Sequence, residues 1–233
     1  MHKTAEHSQQ ACTVDNIVQA TAETIILTCR PPQDYQFSAG QYAFLQTESM
    51  PEPRAYSIAS PEHSDTVAFH IKKSNYSNTT DAFMALQAGE QLQISTPQGN
   101  SFLDRASTAP LIALAGGVGV APMHSILMTA IHDNPDRVIH LYWGCDNTSE
   151  LYLHDHFVAL SQQHKNFDYT PIIRSHEDNI AIGVVGEHIV NASHSLRQAD
   201  IYMAGPKNMM VHTLEVLEKH GIQEDHIHFD KFW

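Results

Sequence analysis

Two short segments carry residue types that can do chemistry. The first is Leu-Ile-Ala-Leu-Ala-Gly-Gly-Val-Gly-Val-Ala-Pro, residues 111–122. An apolar run of strand type enters Gly116, Gly117 and Gly119, and a helical pattern opens straight after. Glycines let the backbone turn tightly and approach a diphosphate, and the N–H groups and dipole of the helix start then hold the anion. Pro122 suits a first helical turn, where its missing N–H would be unpaired anyway. It stands where the third glycine of GxGxxG would be. The competing reading of this stretch is a connection that serves only helix–sheet packing. The second segment is Arg54-Ala-Tyr-Ser-Ile-Ala-Ser60. On a strand, Arg54, Tyr56 and Ile58 share one face, and Ala55, Ser57 and Ala59 share the other. An aromatic beside a cation can stack a flat ring and hold an anionic tail. Taken alone, the segment also reads as an ordinary strand with one exposed arginine.

The elements that position these segments differ between the two halves of the chain. Short β-rich runs span Cys12–Val18, Thr24–Thr28, Tyr42–Gln46, Ala55–Ala59, Val67–Lys72 and Gln91–Ser95, separated by turn residues such as Pro31-Pro32 and Pro97-Gln98-Gly99. One helix intrudes, capped by Thr79 or Thr80, with Ala82, Phe83 and Leu86 as its apolar face and Gly89 as its stop. Six strands and one helix predict a small antiparallel β-barrel. From Pro110 onward strands and helices alternate. Leu111–Ala115 is apolar throughout, as in a strand buried on both faces. Met123, Ile126, Leu127, Ala130 and Ile131 then repeat at helical spacing. Strands follow at Val138–Trp143, Phe167–Ile173 and Ile201–Ala204, with helices over Leu151–His164 and from about Lys207 to His220, closed by Gly221. This alternation predicts a doubly wound parallel α/β domain. The expected division is a barrel over residues 1–106 and a nucleotide-binding domain over residues 107–233.

Composition narrows the function classes. The 233 residues allow one large domain or two small ones, and 42% apolar content is enough for a core. Asp plus Glu total 26 against 13 Lys plus Arg, a formal charge of −13, so nucleic acid and anionic membrane are poor partners. The apolar stretch Leu111–Met123 is too short for a membrane span of ~20 residues. The start, MHKTAEHSQQ, has no apolar run of signal-peptide type, which makes the cytoplasm the expected compartment. Cys12, Cys29 and Cys145 form no CxxC, which argues against a disulfide framework, a cysteine-based zinc site or a four-cysteine iron–sulfur cluster. There are 17 histidines, and His154/His156 and His226/His228 form HxH pairs that would share a face on a strand. No third ligand recurs at set spacing, so no metal site is expected.

In combination the segments say more. RxYS(I/M)AS about sixty residues before GGxGxxP, then YWG, IYxAGP and an aromatic C-terminus, resembles the ferredoxin–NADP reductase superfamily. Within it the likeness is to NAD(P)H:flavin reductases of the Fre/LuxG type, and it runs from Ala39-Gly40-Gln41-Tyr42 to Phe229–Trp233. The resemblance implies a flavin-binding barrel followed by a nicotinamide-nucleotide domain, with the isoalloxazine between them. It implies that Tyr56 packs on the isoalloxazine, that Ser57 donates a hydrogen bond to flavin N5 as the catalytic hydroxyl, and that Arg54 meets the ribityl or phosphate portion. It assigns His70, Ile71 and Lys72 to the next flavin-lining strand, mostly through backbone contacts. Gly116, Gly117 and Gly119 would take the NAD(P)H diphosphate. Ala204, Gly205 and Pro206 match the loop beside the nicotinamide, and Phe232 and Trp233 match the aromatic tail. The implied activity is hydride transfer from NADH or NADPH to riboflavin, FMN or FAD. The reduced flavin would serve a monooxygenase or a ferric acceptor; the alternative is a bound-FAD reductase that passes electrons to a protein partner such as a hydroxylase or an iron–sulfur protein.

Three departures from the family pattern sharpen this. The family's CGP is Ala204-Gly205-Pro206 here, so no thiol assists transfer. The Gly-x-x-Ser/Thr turn of tight FAD binders is replaced by Asn75-Tyr-Ser-Asn-Thr79-Thr80, which points to a loosely held, exchangeable flavin. Trp143-Gly144-Cys145-Asp146-Asn147 carries no arginine after the strand that usually ends near the adenosine ribose. Asp146 can accept from a ribose 2′-OH and would repel a 2′-phosphate. The expected outcome is a higher kcat/KM with NADH than with NADPH, checked by titrating both donors against one flavin.

Overall fold

The computed structural model describes residues 8–74, 79–174, 180–190 and 196–231, and for Thr79 the backbone. The first sheet is antiparallel and runs β4-β3-β6-β1-β2-β5. Its strands are β1 (Gln9–Gln19), β2 (Thr24–Arg30), β3 (Tyr42–Gln46), β4 (Arg54–Ser57), β5 (Val67–Lys72) and β6 (Gln91–Ser95). The two end strands nearly meet. An isolated bridge joins Ile58 to Phe69, and the Ala59 N–H donates to the Ala68 carbonyl at 2.7 Å. The expected strand over Ala55–Ala59 therefore stops at Ser57, and its last residues turn across to close the barrel. Among the described residues no strand pairs with the outer edge of His70–Lys72, so the barrel stays open beside Ser57. Alternate residues of the strands, among them Val14, Leu27, Leu45, Ile71, Leu92 and Ile94, point inward. Phe83, from the short helix α1 (Thr79–Met84), plugs the core.

The second sheet is parallel, in the order β10-β9-β8-β7-β11-β12. It consists of β7 (Leu111–Gly116), β8 (Ile139–Cys145), β9 (Phe167–Ile173), β10 (Ala181–Ile182), β11 (Asp200–Ala204) and β12 (Ile227–His228). Period-2 alternation divides its residues between two cores. Leu111, Ala113, Ile139, Leu141 and Trp143 pack under α2 (Val120–Asp133) and α3 (His154–Gln163). Ile112, Leu114, Tyr142, Ile201 and Met203 pack under α4 (Val185–Ile189) and α5 (Lys207–Lys219). Helices thus cover both faces, as in a doubly wound fold. The strand order reverses between β7 and β11, and it is at such a switch that open α/β sheets bind ligands.

Several short elements escape the sequence pattern. β10, β12 and α4 span only two to five residues, too few for a period to show. The helix expected from Leu151 begins at His154, because Leu151 is buried in the preceding turn. His154 and His156 lie on this helix, as its expected span already implied, and residues two apart on a helix do not face each other. His226 ends a 3₁₀ turn, while His228 stacks on Tyr202 at 4.6 Å. Among the described residues no cluster of His, Cys, Asp or Glu could hold a metal ion, and no helix is long and apolar enough to cross a membrane.

One buried ion pair anchors the start of the parallel sheet. Arg137 Nη2 donates to Asp200 Oδ2 at 2.7 Å, and Nε donates to the Ala109 carbonyl at 2.8 Å. Its side chain is 3% exposed. Removing one partner of a buried pair strands the other charge, which typically costs about 3–5 kcal/mol. Arg137→Met is accordingly expected to lower the unfolding free energy by about that amount, measured by urea titration.

Candidate functional site

The site is built where β7 and β11 diverge. Gly119 opens α2 directly against the end of β11, and a Cβ there would strike the Ala204 carbonyl. Gly116 is equally close to Pro206 and Met209. Gly117 differs: its φ is +52° and a Cβ would meet nothing within 4 Å. Its carbonyl is held by the Trp143 indole N–H at 2.9 Å. So the glycines divide the work. Gly119 and Gly116 let helix, strand and loop approach, whereas Gly117 exposes backbone to a cleft of about 260 Å³ that Gly116 also lines.

That cleft runs from Gly116, Gly117 and Pro206 to Asp146, Arg174, Val184, Val185 and the α5 residues Met209, His212 and Thr213. The barrel contributes Lys72, whose ammonium lies 2.9 Å from Glu150 Oε2 and 3.9 Å from Glu23 Oε2. Burial opposes the Lys72 charge, but Glu150, then Glu23 and Asp146, hold its pKa above the ordinary lysine value. Arg174 Nη1 is 3.4 Å from Asp146 Oδ1, and both side chains are about two-thirds exposed, a weak pair. Cys145, beneath the cleft, is pushed up to about 12 by burial and by Glu150, so its thiol is not a nucleophile. An open glycine at positive φ beside a lysine and a buried helix start fits a dinucleotide diphosphate.

A second, smaller slot of about 30 Å³ lies where barrel and sheet touch. It is lined by Ser57 at the end of β4, by Pro122 and Met123 of α2, and by Ala204, Gly205 and Asp230. Ser57 and Gly205 are 148 positions apart in sequence and share this slot. Tyr56 leans edge-on against Phe83, with ring centroids 5.3 Å apart. Burial raises its phenol to about 12 despite nearby Arg54, so it is a neutral ring. Arg54 sits outside, 3.4 Å from Glu52. Ile71 is buried in the barrel core, and His70 Nδ1 lies 2.9 Å from the Tyr152 hydroxyl of the α/β half. The Thr80 hydroxyl is buried and accepts from the Ser74 N–H at 3.1 Å. The Thr79 side chain, Asn75 to Asn78, and Phe232 and Trp233 lie outside the described residues.

The two halves are tied together behind the slot. The Ser125 hydroxyl donates to the Ser60 carbonyl at 2.7 Å, the Glu62 N–H donates to Thr129 Oγ1 at 3.1 Å, and His124 Nδ1 meets the Ala59 carbonyl at 2.8 Å. Arg105 bridges Glu62 and Asp133. These contacts hold Ser57 in register with Gly205.

Comparison with known proteins agrees with this geometry. Residues 11–102 match the oxidoreductase FAD-binding domain family, and residues 113–215 match the oxidoreductase NAD-binding domain family. A probable flavin reductase of Aliivibrio fischeri is 31% identical over 189 residues, 78% of each chain. This chain belongs to the ferredoxin–NADP reductase family. The reductase component of a propane 2-monooxygenase from Gordonia sp. (strain TY-5) is 29% identical over 86% of this chain, which spans 60% of that relative's length. The crystal structure of the Amycolatopsis cytochrome P450 reductase GcoB shares the fold, with a TM-score of 0.89 at 23% identity, covering 98% of this chain and 71% of that one.

Sequence reasoning missed Arg174, Glu150, His212 and Thr213 as cleft residues. Arg174 was within reach: the parallel register pairs Cys145 with Ile173, so the residues that follow them, Asp146 and Arg174, emerge side by side. The others depend on α5 and on a turn, whose placement no local pattern encodes.

Burial drives His70 down to about 3 and His124 to about 4, each also pushed by a histidine neighbour, although the backbone bond to Ala59 supports the charged form of His124. Both therefore stay neutral when folded while the unfolded chain takes up protons below its ordinary 6.5. Unfolding free energy should fall as pH drops from about 6.5 toward 4, by up to about 1.4 kcal/mol per unit for each histidine. Urea titrations at pH 7 and pH 5 check this, and His70→Leu should make the dependence shallower.

Proposed function

We propose that this protein is an NAD(P)H-dependent flavin reductase, with residues 1–106 as its flavin-binding unit and residues 107–233 as its nucleotide-binding unit. The observation that carries the reading is the slot shared by Ser57 and Gly205, whose Gly205 abuts Gly116 at the end of the dinucleotide cleft. When bound, the nicotinamide supplies a hydride that the flavin takes up at N5, chemistry that belongs to the cofactors. The chain's own residues orient and shield. Ser57 lines the slot, and its hydroxyl is the donor that would steady charge at the accepting ring edge. Tyr56 offers a neutral ring braced by Phe83, and the backbone edge of His70–Lys72 offers N–H and carbonyl groups with no strand partner among the described residues. Gly116, Gly117 and Lys72 receive the diphosphate, and Ala204, Gly205 and Pro206 floor the nicotinamide end. Asp146 accepts from the adenosine ribose; Arg174 beside it tempers the preference for NADH over NADPH without reversing it.

The flavin, riboflavin, FMN or FAD, is an exchangeable substrate in this reading. The replacement of the Gly-x-x-Ser/Thr turn by Asn75-Tyr-Ser-Asn-Thr79-Thr80 supports that. Reduced flavin would then leave for a flavin-dependent monooxygenase or a ferric acceptor in the cytoplasm. The relatives that serve oxygenases favour a second reading, a retained FAD passing electrons to a protein partner. Purification separates the two. A colourless protein whose NADH oxidation depends on added flavin supports the first, and a yellow protein with stoichiometric flavin supports the second. Ser57→Ala is expected to lower kcat about ten- to hundredfold with flavin affinity nearly unchanged. Wild-type turnover in that variant would make Ser57 structural.

A further inference from the structure

Among the described residues, Lys72 and Arg174 are the lysine and arginine that line the dinucleotide cleft, and each faces a carboxylate that lines it too. Arg174 meets Asp146, and Lys72 meets Glu150. The two pairs differ. Arg174 Nη1 and Asp146 Oδ1 are 3.4 Å apart on side chains about two-thirds exposed. Lys72 Nζ donates to Glu150 Oε2 at 2.9 Å, a charge-assisted hydrogen bond between side chains 35% and 26% exposed. The second pair is thus the stronger one, and it is still open to the cleft. Glu23 Oε2 stands 3.9 Å from the same ammonium, beyond hydrogen-bond reach and on a more exposed side chain.

The backbone on each side of this pair is fixed. Lys72 ends β5, and β5 lies against the Gly117–Gly119 turn, whose open glycine backbone lines the same cleft. Glu150 ends the 3₁₀ turn Thr148–Glu150. The Cys145 thiol donates to the Glu150 carbonyl at 3.7 Å, and the next residue, Leu151, is buried. With its backbone pinned in this way, the Glu150 carboxylate leaves Lys72 only by turning about its own side-chain bonds.

A diphosphate at the glycine turn can take the Lys72 ammonium only in exchange for Glu150. The ligand then gains the difference between two charge-assisted hydrogen bonds rather than a whole one. The exchange matters because NADH and NAD⁺ carry the same diphosphate. A firm grip on it is uniform binding, which holds product as tightly as substrate and lowers KM without raising kcat. Building on the reading of this cleft as the nicotinamide-nucleotide site, we propose that Glu150 is an affinity-setting residue. It competes with the diphosphate for the Lys72 ammonium, loosens donor and product alike, and so speeds release of the spent nucleotide. Glu150 acts through Lys72 and is a positioning residue, remote from the atoms that exchange the hydride.

Glu150→Gln keeps the side chain's shape and removes its charge. Calorimetric titration with ADP-ribose, which has the diphosphate but no nicotinamide, is expected to show about three- to tenfold tighter binding. With added flavin, KM for NADH and the inhibition constant of NAD⁺ should fall by a similar factor. Lys72→Met should weaken ADP-ribose binding. Adding Glu150→Gln to it should change the affinity by less than about twofold, because the contested ammonium is gone. The full gain persisting beside Lys72→Met would mean plain repulsion of the diphosphate by Glu150, and overturns the competition. Unchanged or weaker binding in Glu150→Gln also overturns it and leaves Glu150 as a clasp between the halves. Either result leaves the cleft a nucleotide site. ADP-ribose bound by neither wild type nor Glu150→Gln would instead remove that reading, and the competition with it. Tighter ADP-ribose binding in a Glu150→Gln protein whose wild type reduces no flavin would remove the reductase reading and leave the competition standing.

Discussion

The molecule depends on one close approach. Where the parallel sheet reverses direction, α2 begins directly against the carbonyl end of β11, and only a residue without a side chain fits at Gly119. Any Cβ there would push α2 off the Ala204–Gly205 backbone. The helix carries Ser125, His124 and Thr129, the residues that grip the barrel. The distance between Gly205 and Ser57 is therefore set through a glycine that abuts the Gly205 backbone from the helix side. Packing at the switch point and positioning at the slot are one constraint.

Electrostatics in the cleft follow a different logic from packing. The chain is strongly acidic, yet the groups that face the open glycine backbone include a lysine delivered by the other half of the molecule. Lys72 is held by Glu150 and Glu23, carboxylates that an incoming diphosphate would have to rival for the same ammonium. The arrangement favours a ligand that is bound and released over one that is locked in. Burial keeps His70 and His124, between the halves, neutral, while the charges in the seam behind the slot are paired, Arg105 with Glu62 and Asp133.

Particular residues show how much of this could be read without a structure. The run Leu111–Ala115 read as a strand covered on both faces, and the offsets from Met123 to Ile131 read as one helical face; both stand in the structure. Tyr42–Gln46, Val67–Lys72, Gln91–Ser95 and Phe167–Ile173 emerge with the same bounds in the structure. Local signals failed where elements were shortest. α4 and β12 gain their form from neighbours, and the turn at Leu151 is held by burial rather than by propensity. The glycines were visible as a group, but their separate duties were not. Whether a glycine faces a ligand or a helix depends on what lies across from it.

Sequence alone determined the order of elements, the change from antiparallel barrel to parallel sheet, and the family motifs with their departures, because period, turn chemistry and residue type are local. Only the tertiary structure decided that Ser57 and Gly205 share a slot, that Lys72 reaches Glu150 across the halves, and that Asp146 stands beside Arg174. Those facts are pairings between residues distant along the chain. They arise from how whole elements pack, which no window of neighbouring residues contains.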